Sequence, residues 1–229
     1  MLSDLRTHSN TSDFSDGEVE LALVKDQRPI LQSESSRGGA WLRDDGVREC
    51  TSGWTVEGPD GDGIITAGHC NGLNQYEPPG GVAVGLTWRD QVLGSDGDAE
   101  YLTTGSAEQP EFYASAGDIR YVSSIRTTNT MVGRTVCVYG RASNIRTCNH
   151  MITLINETVG IQLPNNGGVL VRGGLVEATN ASTQGGDSGG GWSYGTEAYG
   201  THVGHGGGFS YFFPVQGAET ELGVTILTN

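Results

Sequence analysis

Gln184-Gly-Gly-Asp-Ser-Gly-Gly-Gly191 sets Ser188 between glycines and directly after an aspartate, and far upstream Thr66-Ala-Gly-His-Cys70 supplies a histidine beside a cysteine. The glycines at 186 and 189 let the backbone turn sharply, which presents the serine hydroxyl and aims the amides of Gly186 and Ser188 at one point, where an oxyanion would form. His69 follows the apolar pair Ile64-Ile65, so it stands at the end of an expected buried strand. A third group is needed to orient the imidazole. Asp98, in Gly97-Asp-Ala-Glu-Tyr-Leu102, lies between the other two and runs into the strand-like Tyr101-Leu102. The neighbouring Asp96 competes for this role. The residues together imply a serine hydrolase with chain order His69, Asp98, Ser188.

Order separates the folds on which this chemistry recurs, and His before Asp before Ser is that of chymotrypsin-like β-barrel enzymes. The chain resembles that family, and within it the bacterial secreted branch of streptogrisins and α-lytic protease, from about Arg37 to the C-terminus. Gly38-Gly-Ala-Trp41 resembles a mature N-terminus of the branch. The resemblance implies an all-β fold of two packed antiparallel β-barrels with the active site in the cleft between them. It also implies disulfides Cys50 with Cys70 and Cys137 with Cys148. Gly-Asp-Ser-Gly-Gly alone also fits the nucleophile elbow of α/β-hydrolases, but no Asp follows Ser188 and too little chain remains for their sheet.

Composition agrees with an all-β extracellular protein. Among 229 residues there are 37 glycines, charged residues are only 17%, and apolar residues come in short runs broken by Gly, Asn, Asp and Ser, such as 82–87 and 169–171. The formal net charge of -14, with no basic cluster, argues against nucleic acid and anionic membranes. The four cysteines form no C-x-x-C pair and have no histidine cluster, so disulfides are favoured over zinc; each would close a short loop worth on the order of 3 kcal/mol. Such bonds imply secretion. The polar start Met1-Leu-Ser-Asp-Leu-Arg is no signal peptide, which implies a segment upstream of this sequence. No stretch is long and apolar enough to span a membrane. The acid pairs Asp44-Asp45 and Asp60 with Asp62 read as solvated turns rather than calcium loops. A monomeric enzyme acting on protein or peptide substrates, with no metal and no cofactor, is expected.

Three segments are expected: an N-terminal extension at 1–36, a first barrel at 37–117 and a second at 118–229. The extension carries one alternating stretch, Val19-Glu-Leu-Ala-Leu-Val24, and two readings stay open for it: the tail of a pro-region, as the family makes, or a disordered extension. As pro-sequence it would leave a latent zymogen cut near Ser36-Arg37-Gly38.

By resemblance, Asp187 holds the oxyanion loop through a buried ion pair. The Arg that relatives place for it is missing, and Tyr139 or Arg141 in Cys137-Val-Tyr-Gly-Arg141 is expected to serve. A cysteine pair that staples the pocket loops is also absent, with Asn180 and Gly208 near those positions, which suggests looser walls. Gly200-Thr-His-Val-Gly-His-Gly207 resembles the strand lining the primary specificity pocket, making His202, Val203, Gly204 and His205 the substrate-binding candidates. Val203-Gly204-His205 stands where relatives carry Ser-Gly-Gly. A histidine at 202 resembles glutamyl endopeptidases, since an imidazole can donate to, or ion-pair with, a substrate carboxylate. The alternatives are a His202 that merely packs beneath the pocket, with apolar residues preferred before the scissile bond, and a silent homologue that only binds. Ser182, near where trypsin-like enzymes carry a pocket-floor acid, is neutral and argues against Arg or Lys.

Overall fold

The structure is a computed structural model that describes residues 35–162 and 169–229; the expected strand at 19–24 lies outside them. Eight strands come first: β1 (Trp41–Asp44), β2 (Val47–Thr51), β3 (Trp54–Gly58), β4 (Gly61–Thr66), β5 (Gln75–Glu77), β6 (Val84–Gly85), β7 (Thr87–Gly94) and β8 (Gly97–Thr103). They build a four-stranded sheet in the order β2-β1-β5-β6 and, with a strand from the far C-terminus, a five-stranded one. The expected strand at 82–87 is divided. Val84 and Gly85 pair with β5, whereas Thr87 begins the pairing with β8.

A hairpin of β9 (Glu111–Ser115) and β10 (Asp118–Tyr121) follows, and Gly117 lies in its turn. The chain then enters a seven-stranded sheet through β11 (Ser124–Ile125). β12 (Thr135–Tyr139), β13 (Arg146–Gln162), β14 (Val169–Thr179), β15 (Gly191–Tyr194), β16 (Glu197–Gly206) and β17 (Phe209–Pro214) complete it. Because β16 pairs with both β15 and β17, six of these strands close on themselves as an antiparallel barrel. Closure removes the unpaired edges that would otherwise invite association. Helix α1 (Val215–Leu222) leads to β18 (Thr225–Ile226), which returns to β3. The fold is all-β with two barrels, as the resemblance implies.

Strand alternation distributes the core. In β4 and β8, Ile64 and Leu102 pair and face the first barrel's interior with Leu42, Leu73 and Tyr76, while Ile65 and Tyr101 pair on the opposite face. That second face packs with Trp54, Phe213 and Val215 in a cluster shared by both halves of the chain. All seven residues of β8 are buried. The second barrel closes on Trp192, Phe212, Tyr199 and Val138.

Both expected disulfides are present, Cys50–Cys70 and Cys137–Cys148, spanning 20 and 11 residues. The stretch expected to be processed is tied into the first barrel: Ser36 is buried, Arg37 donates its amide to the Tyr76 hydroxyl, and Ser52 Oγ donates to the Arg37 carbonyl.

Replacing Cys50 and Cys70 together by Ala should lower unfolding free energy by about 3 kcal/mol, because the unfolded chain regains the loop entropy. Urea unfolding monitored by tryptophan fluorescence measures it.

Candidate active site

β4 ends at Thr66, and a single 3-10 turn, Gly68–Cys70, carries His69 against the start of β8. Cys70, bonded to β2 through Cys50, pins this turn. Asp98 is fully buried, and its Oδ1 accepts the His69 backbone amide at 2.9 Å. Both carboxylate oxygens face His69 Nδ1, at 3.1 and 3.0 Å, and Nε2 lies 2.8 Å from Ser188 Oγ. A carboxylate can only accept, so Nδ1 bears the proton and Nε2 presents its lone pair to the serine hydroxyl. The three residues expected from the sequence are therefore brought together; Asp96 is left exposed on the β7–β8 turn.

The Ser188 loop is fastened from both halves of the chain. Thr51 donates its amide to the Ser188 carbonyl and its hydroxyl to the Gly186 carbonyl, while Gly189 donates to the His202 carbonyl. Gly186 and Gly189 have φ of +93° and +82°, a region costly for any residue with a Cβ. The amides of Gly186 and Ser188 have no acceptor among the described residues.

Asp187 corrects one expectation. Its buried carboxylate pairs with neither Tyr139 nor Arg141; it accepts the backbone amides of Ser143 at 2.8 Å and Gln184 at 2.9 Å. Tyr139 and Arg141 both turn to Asn144 Oδ1. Two preset amides satisfy the charge without an arginine. The pocket loops are likewise joined without cysteines, since Ser210 Oγ donates to the Asn180 carbonyl at 2.7 Å.

The specificity candidates separate. His205 is exposed and meets Thr183 Oγ1 at 3.0 Å. With Val203, Gly204, His69, Leu170 and Arg172 it lines a cleft of about 770 Å³. His202 lies behind that surface, buried, its Nδ1 accepting the Trp192 indole N–H at 3.4 Å. Burial foremost, then the nearby His69, His205 and His150, pushes its ring down to about 3. It is therefore a neutral imidazole that can donate a hydrogen bond from Nε2 but not form an ion pair at ordinary pH.

Two site residues escape sequence reasoning. His150 stacks edge-on against Trp192 and donates Nδ1–H to the Thr179 carbonyl, leaving Nε2 to accept from Thr147 and Ser182. No motif surrounds it. Arg172, in β14, donates Nε to Asp98 Oδ2 at 2.9 Å in a buried ion pair. Its one sequence signal is the following Gly173-Gly174: a Cβ at Gly173 would stand 2.0 Å from the Ser95 carbonyl oxygen, so glycine lets β14 lie on the β7–β8 turn.

Glu100, two residues past Asp98 on the same strand face, is fully buried, and neither carboxyl oxygen has a partner among the described residues. Desolvation, reinforced by the charge of Asp98, raises it from 4.5 to about 8, so it is protonated at neutral pH. The folded state thus holds a proton that the unfolded state releases between those values. The resulting stability is complete below pH 4.5 and is lost as pH rises through 8. Glu100→Gln keeps the shape without ionising and should flatten this dependence. Relative to the parent it should gain a few kcal/mol between pH 5 and 9, read from urea midpoints across that range.

No protein-family profile matches the chain. Streptogrisin-C of Streptomyces griseus is 27% identical over 208 residues, 84% of this chain but only 41% of that protein, so the chain spans less than half of that relative. Glutamyl endopeptidase 2 of the same organism is 29% identical over 196 residues, 82% of this chain and 98% of that protein. Among solved structures, Cellulomonas bogoriensis chymotrypsin superposes with a TM-score of 0.68 at 26% identity, covering 84% of this chain and 98% of the other. A glutamic acid specific serine protease described as using a novel histidine triad in substrate binding superposes with a TM-score of 0.67 at 25% identity, covering 84% and 100%.

Proposed function

The chain belongs to the bacterial chymotrypsin-like serine proteases, and from that premise we propose that it is a secreted endopeptidase working through His69, Asp98 and Ser188. The observation that carries the reading is the unbroken line from Asp98 through His69 Nδ1 and Nε2 to Ser188 Oγ, with every step at 3.1 Å or less. Ser188 Oγ attacks the scissile carbonyl carbon as His69 Nε2 takes its proton. The oxyanion of the tetrahedral intermediate accepts from the amides of Gly186 and Ser188. His69 then passes the proton to the leaving amine, and the acyl-enzyme is hydrolysed by water through the same steps. Asp98 holds the tautomer and stabilises the imidazolium. The two disulfides fit an oxidising, extracellular setting.

We further propose that Glu is preferred before the scissile bond. The similarity to glutamyl endopeptidase 2 supports this, as does the presence of His202, His205 and His150 around the pocket strands. Because His202 is neutral, it serves the substrate carboxylate as a hydrogen-bond donor, with exposed His205 as a second polar group. A carboxylate desolvated in a pocket without such donors would be strongly disfavoured.

Peptides differing only before the scissile bond (Glu, Asp, Phe, Leu, Ala, Lys) test both parts. Cleavage after Glu is expected, reduced about 10⁶-fold in kcat by Ser188→Ala and roughly 10- to 100-fold in kcat/KM by His202→Gln. Cleavage after Phe or Leu would retain the protease and remove the Glu preference; cleavage that survives Ser188→Ala, or no cleavage of any peptide even after residues 1–36 are removed, would overturn the enzyme reading.

A further inference from the structure

Asp98 must satisfy two oxygens without solvent. Oδ1 takes the His69 amide, and Oδ2, which faces Nδ1, takes Arg172 Nε at 2.9 Å. The guanidinium is itself fixed, because Nη1 donates to the Val171 carbonyl at 3.0 Å and the side chain is 5% exposed. Along the same cleft β16 offers Val203 and Gly204, neither with a side-chain donor, and His205, whose Nδ1 meets Thr183. The cation arrives from another part of the chain: β14 pairs with β13 at Val159↔Arg172, and Gly173 seats the strand on the β7–β8 turn.

We propose that Arg172 is a positioning residue of the reaction, which locks the Asp98 carboxylate toward His69 and offsets its charge. This rests on His69, Asp98 and Ser188 being the working triad. Nε, in a guanidinium plane that Nη1 anchors on the Val171 carbonyl, offers Oδ2 one fixed N–H direction, which a freely rotating ammonium does less well. Its positive charge also opposes the attraction between Asp98 and an imidazolium at His69. The other titratable groups facing this site are Glu100 from β8, uncharged until near pH 8, His202 and His205 from β16, the first of them neutral, and Tyr211 from β17, which burial and Glu177 push up.

The test is the pH profile of kcat/KM below pH 7.5, where Glu100 stays protonated, on whichever peptide the parent cleaves. Arg172→Gln leaves Asp98 unopposed, so the acidic limb should move to higher pH by roughly one unit and kcat should fall with little change in KM. Arg172→Lys restores the charge without the fixed N–H direction: the limb should return to the parent position while kcat stays several-fold low. A merely structural arginine would leave the limb in place in both variants, and that result would overturn the proposal. Should Arg172→Gln fail to fold, Arg172→Lys carries the test alone, since a displaced limb or an unchanged kcat refutes it. NMR titration of the His69 ring, run on Ser188→Ala with and without Arg172→Gln, reads the same shift without turnover. An inactive parent therefore sinks the proposed function yet still leaves the Arg172 effect to be seen or refuted.

Discussion

Asp98 is a carboxylate held away from water, and the arrangement of both halves of the chain follows from keeping it charged there. An isolated buried carboxylate would neutralise rather than persist. Its partners come from a 3-10 turn in the first barrel and a hairpin strand of the second. Strand β8 is accordingly buried on both faces, with one packing into the first barrel and the other onto the cluster that both halves share. The ion pair with Arg172 thus fastens the two halves together at the point where His69 must meet Ser188.

Three buried acids surround this site, each accommodated differently. Asp98 has a cation and an imidazole. Asp187 has two backbone amides, which preset a negative charge without any basic side chain. Glu100 has no partner and keeps its proton. The difference tracks what each position demands. In the proposed mechanism Asp98 responds to a charge appearing on His69, and its two partners keep it oriented for that. Asp187 only has to hold a loop whose shape is already imposed by left-handed glycines. At Glu100 burial without a partner, reinforced by the charge of Asp98, makes neutrality the lower-energy state.

The nucleophile loop, the histidine turn and Asp98 were legible in the sequence because their chemistry needs particular residues in local contexts: glycine where φ is positive, a half-cystine beside His69, a strand after Asp98. The order of the three then selected two barrels over an α/β sheet. Arg172 was not legible, because its meeting with Asp98 depends on the register of a long hairpin with several irregularities and spans a sequence separation of 74. His150 likewise gains its place at Ser182 only when β13 is laid beside the β14 end. The partner of Asp187 was sought among side chains, and a backbone amide, which every residue but proline carries, leaves no trace in a sequence.

A chain with a formal net charge of -14 and a proposed taste for Glu poses an electrostatic question. Its long-range field repels an acidic peptide, yet at physiological ionic strength that field decays over about 8 Å. The proposed selection for Glu therefore rests on polar groups at the pocket rather than on the net charge. A protonated histidine in the pocket would give a stronger pull, but one that fades as pH rises through neutrality. Burying His202 against Trp192 removes its charge and keeps its N–H. On the proposed preference for Glu, His202 keeps one protonation state across neutral pH, so recognition of the carboxylate would not draw on the proton that the proposed mechanism moves through His69.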